Sequence, residues 1–256
     1  LLAHVNIHGA TMADEPVRTA LVIGAGDGVG AAAARAFAAE GLTVCLVRRP
    51  RHLAELEALA ASIRANGGRA LAFGSDAREE ADVIALFQQV ESIGPLELCL
   101  FNIGANVRFG ITETTARVYT KVWEMAAFAG FLAGRQAADV MRPRAQGTIL
   151  FTGATASLRG RDGFAAFAGA KHALRGLAQS MARELGPHGI HVAHVVVDGL
   201  IDGTFARSNF DDVEARLAAG EILDPAEIAR NFVWLWRQNR CAWTHEMDLR
   251  PWKENW

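Results

Sequence analysis

The chain is predicted to fold as a single α/β domain, a doubly wound parallel sheet. Three observations carry that expectation. Short apolar runs alternate with longer stretches of helical periodicity from Thr19 to Gly199, the order that builds a parallel sheet through helical crossovers. The runs are continuously apolar rather than alternating, as in strands covered on both faces. The first run ends in a glycine-rich turn that leads into an Ala-rich helix.

Composition agrees. With 256 residues, 51% hydrophobic content, 25 glycines and 7 prolines, the chain is long enough to bury roughly three quarters of its unfolded surface in one core. A formal charge of −2 provides no broad basic field, which argues against nucleic acid as a partner. No apolar stretch approaches the roughly 20 residues needed to span a bilayer, and no membrane partner is expected. Cys45, Cys99 and Cys241 are odd in number and lack metal or CxxC spacing. They read as thiols in a reducing compartment, hence a cytoplasmic protein, with no metal site. Leu1 to Thr11 look unlike the rest, and Met12 would make a plausible start. Residues 1–11 are read as an extension and 12–256 as the domain; His4 and His8, four apart, are read as part of an unpaired arm rather than a metal pair.

In order, Thr19 to Ile23 is a buried strand, Gly24-Ala25-Gly26-Asp27-Gly28-Val29-Gly30 a turn, and Val29 to Glu40 a helix. Glycines there permit a tight turn and close approach of the backbone to a pyrophosphate, while the helix N-terminus presents N–H donors and a positive dipole. Asp27 stands inside the loop, where a carboxylate repels phosphate; it can equally cap the helix. The second strand, Leu42 to Val47, ends in Arg48 and Arg49. Dinucleotide folds place an acid at this point to take the ribose hydroxyls of NAD. Two arginines instead suit a 2′-phosphate, so NADP is favoured over NAD.

A helix over His52 to Asn66 and a third strand over Arg69 to Phe73 follow, then Asp76 and Ala77. Asp76 either reaches an adenine edge or caps the helix of Glu79 to Ser92. The fourth strand, Leu96 to Phe101, leaves Asn102 and Gly104 at its C-terminal end, where open α/β sheets bind ligands. One long helix is expected over Thr115 to Met141, with a small-residue face of Ala126, Ala127, Ala129 and Ala133 that suits packing on the sheet or on another subunit. The fifth strand ends at Thr152, a long helix carries Phe167 and Lys171, and the sixth strand spans Ile190 to Val197. Asp202 to Gly220 reads as a polar connection that could serve as a substrate lid. A helix over Pro225 to Gln238 and a last strand over Ala242 to Leu249 close the chain. The tryptophans of this tail either line a pocket or belong to core and interface.

The order of these pieces resembles the short-chain dehydrogenase/reductase family over nearly all of residues 18–250. The matches are Gly24, Gly28 and Gly30, Asp76, Asn102-Ile103-Gly104, Lys171, and Met181 to Ile190 before the sixth strand. The resemblance implies a Rossmann fold, a nicotinamide cofactor and a homo-oligomer, a tetramer or dimer. It implies a cofactor site at Gly24, Gly26, Asp27, Gly28, Val29, Gly30, Arg48, Arg49, Asp76, Ala77, Asn102, Gly104, Lys171 and Gly199. The family's catalytic set is an Asn, a Ser and a Tyr four residues before the Lys. Aligning the motifs puts Ala126, Ala154 and Phe167 at those positions, and only Lys171 remains. The only tyrosine, Tyr119, precedes Ala126 by seven residues, roughly 10 Å along a helix, too far to substitute.

Other polar groups stand nearby in sequence. Asp198, ending the sixth strand, could face the nicotinamide and pair with Lys171. His194 shares its strand face by alternation, His172 points elsewhere on its helix, and Thr152, Thr155 and Ser157 offer hydroxyls, of which Thr155 and Ser157 suit their own loop backbone. Two functions follow: an atypical NADP(H)-dependent oxidoreductase of a small carbonyl, alcohol or activated alkene, or a dinucleotide-binding protein without catalysis, a sensor or oligomer partner.

Overall fold

The computed structural model describes residues 17–254; the expectations for residues 1–11, Met12, His4, His8 and Trp256 lie outside that range. Seven parallel strands form one sheet in the order β3-β2-β1-β4-β5-β6-β7. They are β1 Thr19–Ile23, β2 Thr43–Arg48, β3 Arg69–Gly74, β4 Leu96–Phe101, β5 Gly147–Thr152, β6 Ile190–Val197 and β7 Glu246–Leu249. Helices α1 Val29–Ala39 and α2 Leu53–Ala65 cover one face together with α9 Pro225–Trp236. The other face carries α3 Glu80–Ile93, α5 Ala129–Met141 and α6 Ala165–Leu185, with α4 Ala116–Trp123 leading into α5. The single-domain doubly wound sheet is as expected.

The apolar runs explain the layering. In β1, Ala20 and Val22 pack into the core on the α1 face, while Leu21 and Ile23 pack into the core on the α5 face. Strand alternation sends successive side chains to opposite faces, so a strand with two covered faces must be apolar throughout. Cys45 and Cys99 lie in this core as buried free thiols, and burial pushes both thiols up to about 12.

The chain leaves β1 outward to β2 and β3 and then returns to β4 on the other side of β1. That reversal opens a crevice beyond the C-terminal ends of β1 and β4. Ile23 pairs with Phe101 in register, so the glycine turn and Asn102 leave the sheet side by side. Asn102 N–H donates to the Ile23 carbonyl at 2.8 Å, and its Nδ2 donates to the Gly24 carbonyl at 3.1 Å. Gly24 has φ +96°, and a Cβ there would lie 2.7 Å from the Asn102 carbonyl oxygen. Only glycine fits that turn without strain.

Three expectations are corrected. The single helix over Thr115 to Met141 is interrupted by a π-helical turn at Glu124–Phe128, which contains Ala126. Helical apolar spacing runs through the segment unbroken, so the sequence does not mark the widened turn. The polar connection over residues 202–220 is instead largely helical, with α7 Thr204–Asn209 and α8 Val213–Ala218. Ala206, Val213 and Ile222 give it a small core of its own. The last strand is shorter than expected, because residues 238–244 are bent by side-chain bonds: Asn239 accepts from the Cys241 N–H and Gln238 brackets Thr244 at 2.7 and 2.8 Å.

Candidate cofactor and substrate site

Two adjoining hollows lie along the crevice. The smaller, of about 240 Å³, is bounded by Gly24, Gly26, Arg48, Arg49, Asp76 and Ala77, and by Asn102 and Gly104. The larger, of about 890 Å³, takes in Asp27, Gly28, Val29, Ala154, Phe167, Lys171 and Gly199, and shares Asn102 and Gly104 with the first. Apart from Gly30, every residue expected to hold a cofactor therefore lines one continuous channel. Gly30 serves behind it: a Cβ there would lie 2.3 Å from the Gly24 carbonyl oxygen, so α1 can approach the turn only with glycine. Gly26 and Gly28 differ, since a Cβ on either would meet nothing within 4 Å. Their bare backbone faces open space, and Gly28 is the N-cap of α1, which has no side-chain cap. Helix-start N–H groups left uncapped beside bare backbone are suited to receive a pyrophosphate.

That start corrects one reading of Asp27. The carboxylate does not cap α1; it accepts the Thr204 Oγ1 hydroxyl from α7, because the chain after β6 folds back over the glycine loop. Asp76 likewise does not cap α3. Its carboxylate takes the Arg78 Nε at 2.8 Å and also Nη2 and the main-chain N–H of the same residue. The bonds from Arg78 hold the Asp76 carboxyl below its usual range despite its partial burial.

The two arginines after β2 separate in role. Arg48 pairs with Glu55 on α2. Among the described residues the Arg49 side chain has neither hydrogen-bond nor ion-pair partner; its pKa is lowered by burial and by the neighbouring Arg51 and Arg78, against the opposing pull of Asp76. His52, Ser75 and Arg78 also line this hollow; the sequence reading missed all three. Ser75 Oγ is buried and unpaired among the described residues, in a place where a ligand hydroxyl or amine could satisfy it. Nothing in the local sequence marks Ser75, one residue from the expected Asp76.

In the larger hollow, Lys171 is 2% exposed. Its Nζ donates to the Thr152 carbonyl at 2.8 Å and the Ile103 carbonyl at 3.2 Å, joining the C-terminal ends of β5 and β4. Phe167 lies one turn earlier, its ring centroid 5.8 Å from that Nζ. Burial pushes the Lys171 ammonium down to about 8. Thr152 borders the same hollow, and its Oγ1 is buried and unpaired among the described residues.

The expected Asp198–Lys171 pair does not form. Asp198 is fully buried; it accepts the Thr155 hydroxyl and stands 3.4 Å from Arg159 Nη2 and 3.5 Å from Arg250 Nη1. It does not line the hollow, since these three partners draw the carboxylate toward the loop after β5 and the C-terminal segment. Thr155 therefore bonds Asp198 rather than its own loop, whereas Ser157 Oγ accepts the Ala154 N–H at 3.1 Å as expected. His194 is buried with Asp198 in β6, but its Nδ1 faces Glu246 at 3.1 Å and Nε2 lies under Gly153. Burial pushes this imidazole down to about 4. His172 bonds the Ala168 carbonyl at 2.9 Å on the outer side of α6. Ala126 is fully buried and does not reach the hollow. Tyr119 packs its hydroxyl over Gly169 and is half exposed. Trp234 and Trp252 are exposed, and Trp243 stacks on His191 at 4.9 Å, so none of these tail tryptophans lines the channel.

A glycine turn, a reversed strand order and a lysine one turn after an aromatic residue on α6, lining one channel, define a Rossmann-type short-chain oxidoreductase. The chain belongs to the short-chain dehydrogenase family, whose pattern matches residues 18–214. It is 32% identical over 238 residues to the short-chain reductase protein NovJ of Streptomyces niveus, covering 85% of this chain and 86% of that one. It is 29% identical over 225 residues to a 2-(S)-hydroxypropyl-CoM dehydrogenase of Xanthobacter autotrophicus, covering 84% and 87%. Among solved structures, a short-chain dehydrogenase from Rhodopseudomonas palustris superposes with a TM-score of 0.79 at 48% identity, covering 92% of this chain and 99% of that one.

The residues present fit a nicotinamide dinucleotide: open backbone at Gly26 and Gly28, a Ser75 hydroxyl unpaired among the described residues beside the arginines, and a buried lysine at the larger hollow. Bound there, the cofactor would supply or accept a hydride.

Proposed function

We propose that the protein is an NADP(H)-dependent oxidoreductase of a small, partly apolar carbonyl, alcohol or activated alkene, working without a tyrosine. The observation that carries the cofactor choice is Arg49, whose side chain has no ion pair among the described residues and is crowded by Arg51 and Arg78, a crowding that Asp76 offsets only in part. A 2′-phosphate relieves that crowding, and a guanidinium fork matches its oxygens. In this reading Gly26, Gly28 and the start of α1 hold the pyrophosphate, Asp76 and Ala77 border the adenine, and Asn102, Lys171 and Gly199 border the nicotinamide ribose. Phe164, Phe167 and Phe205 line the larger hollow, which favours a substrate with an apolar body.

The test is a fluorescence titration with NADPH and NADH, followed by NADPH oxidation across a panel of carbonyls and activated alkenes. Tighter binding of NADPH and turnover of one class support the reading; binding of neither below millimolar concentration defeats it.

A second reading rests on a specific observation: Ala126, Ala154 and Phe167 all lack a hydroxyl or amide where the family places its catalytic set. A cofactor cradle without that set is suited to a dinucleotide sensor or an inactive partner within an oligomer. Binding of NADPH with no turnover across the panel would favour it. The stacked rings of Trp123, Phe128 and Phe131 along α4 and α5, with Trp123 and Phe131 exposed, support self-association on that face, to be checked by sedimentation.

A further inference from the structure

We propose that Lys171 is itself the proton donor to the substrate oxygen during carbonyl reduction, a role that rests on the oxidoreductase reading above. The family assigns this proton to a tyrosine, and Phe167 has none to give.

The ionisable side chains lining the larger hollow are Asp27, Arg159, Arg161, Lys171, Asp202 and Glu254. Guanidinium groups do not release protons in proteins. Asp27 is bonded by Thr204 beside the glycine loop. Asp202 is held by Arg207 through two bonds of 2.7 and 2.8 Å. Glu254 belongs to the C-terminal segment, with Oε2 3.6 Å from where a Cβ on Gly199 would stand; it is the one rival and is tested below. Asp198 and His194 do not line the hollow and are engaged by Thr155 and Glu246.

Lys171 has the donor geometry that remains. An ammonium carries three N–H groups. Two go to the Thr152 and Ile103 carbonyls at 2.8 and 3.2 Å, which aim the nitrogen without neutralising it. The third has no protein acceptor among the described residues, and the flanking Phe167 ring at 5.8 Å cannot accept a proton in transfer. The charged groups around Lys171 are few: the lysine helps hold down His194 on β6, which burial already pushes toward the neutral form, and no carboxylate among the described residues pairs with Nζ. Burial without a counter-ion places this ammonium near 8, within the range in which a lysine works as an acid.

The step balances simply. Bound NADPH would supply the hydride and be left as NADP+; as the carbonyl carbon gains that hydride, the C=O π pair moves to oxygen, which takes a proton from Lys171 Nζ. The product is the alcohol. The neutral amine left behind regains a proton from solvent through the open hollow.

The first readout needs no turnover. Competitive acylation of the cofactor-free protein, followed residue by residue with mass spectrometry across pH, should show Lys171 becoming nucleophilic near pH 8. The exposed Lys121 and Lys253 serve as internal references. A midpoint for Lys171 coincident with theirs overturns the proposal. The second uses the substrate found in the panel at saturating NADPH. The wild-type rate should fall tenfold per pH unit above the Lys171 midpoint, and Lys171→Ala should lose at least about 10²-fold in kcat. Added primary amines should restore the rate in proportion to their acidity, whereas Lys171→Arg should not, although it keeps the charge. Rescue by arginine, or a basic limb that moves in Glu254→Gln instead, overturns the proposal. Should Lys171→Ala fail to fold, the wild-type pH limb and the acylation midpoint decide alone. If NADPH binds and nothing in the panel turns over, the oxidoreductase reading itself fails and this role falls with it.

Discussion

The Lys171 ammonium faces the Phe167 ring at 5.8 Å across one turn of α6, with both side chains buried and both lining the larger hollow. A cation held against an aromatic face is favourable by about 0.5–2 kcal/mol when desolvated. The pair therefore keeps the lysine in place without a hydroxyl between them, and the site is a packed arrangement rather than a gap.

Phe167→Tyr tests what that arrangement does. The ring already fits, so the melting temperature should change by only a few degrees. A new hydroxyl beside Lys171 would add a positioned acid, worth about 10²–10⁴ in rate where one is lacking. Because Lys171 already supplies a proton in our proposal, the expected gain in carbonyl reduction is smaller, about tenfold, and steady-state NADPH oxidation measures it.

Arg49→Ala should weaken NADPH binding by about 10- to 100-fold, the loss of one charge-assisted contact of roughly 1.5–3 kcal/mol. NADH binding should stay within about twofold. Equal losses for both would refute the 2′-phosphate assignment.

The glycine loop gives a paired test. A Cβ on Gly26 meets nothing within 4 Å, whereas one on Gly30 would lie 2.3 Å from the Gly24 carbonyl oxygen. Gly26→Ala should therefore melt like the wild type yet bind NADPH at least about tenfold more weakly, because its methyl intrudes on the pyrophosphate path. Gly30→Ala should lower stability by at least about 1 kcal/mol, through backbone displacement. Calorimetry and titration together separate cradle from packing.

Asp198 is predicted to be structural. Asp198→Ala leaves Thr155, Arg159 and Arg250 without their shared buried carboxylate, and breaking such a pair costs about 3–5 kcal/mol. Urea denaturation should show a loss of that order, and Asp198→Asn a smaller one. Unchanged stability with abolished turnover would restore the catalytic reading.

Stability should also fall on acidification. His194 sits near 4 in the fold against 6.5 when free, chiefly through burial, and His191 is lowered in the same direction by burial. The unfolded chain then binds more protons between these values, so stability is fully present above about pH 6.5 and is lost as pH falls toward 4. The His194 contribution is on the order of 3 kcal/mol. His194→Gln should flatten that slope in denaturation curves measured between pH 7 and 4.5.

The sequence by itself determined the sheet and the glycine turn after β1. Both are written in local pattern: continuous apolar runs for strands covered on two faces, and glycines where the turn after β1 must pass within contact distance of Asn102. That Phe167 stands where the family places a tyrosine is what the resemblance implies, from its position one helical turn before Lys171. What only the tertiary structure decided is which polar groups meet. Asp198 looked available beside Lys171 because both end near the top of the sheet, yet Arg159 and Arg250, distant in sequence, claim its carboxylate. Arg48 and Arg49 are equivalent in the sequence until Glu55 on α2 pairs with the first. Asp27 reads as a cap until Thr204, 177 positions away, takes it. Burial and backbone geometry follow from neighbours in the chain, whereas the partner of a charged side chain depends on every element folded against it.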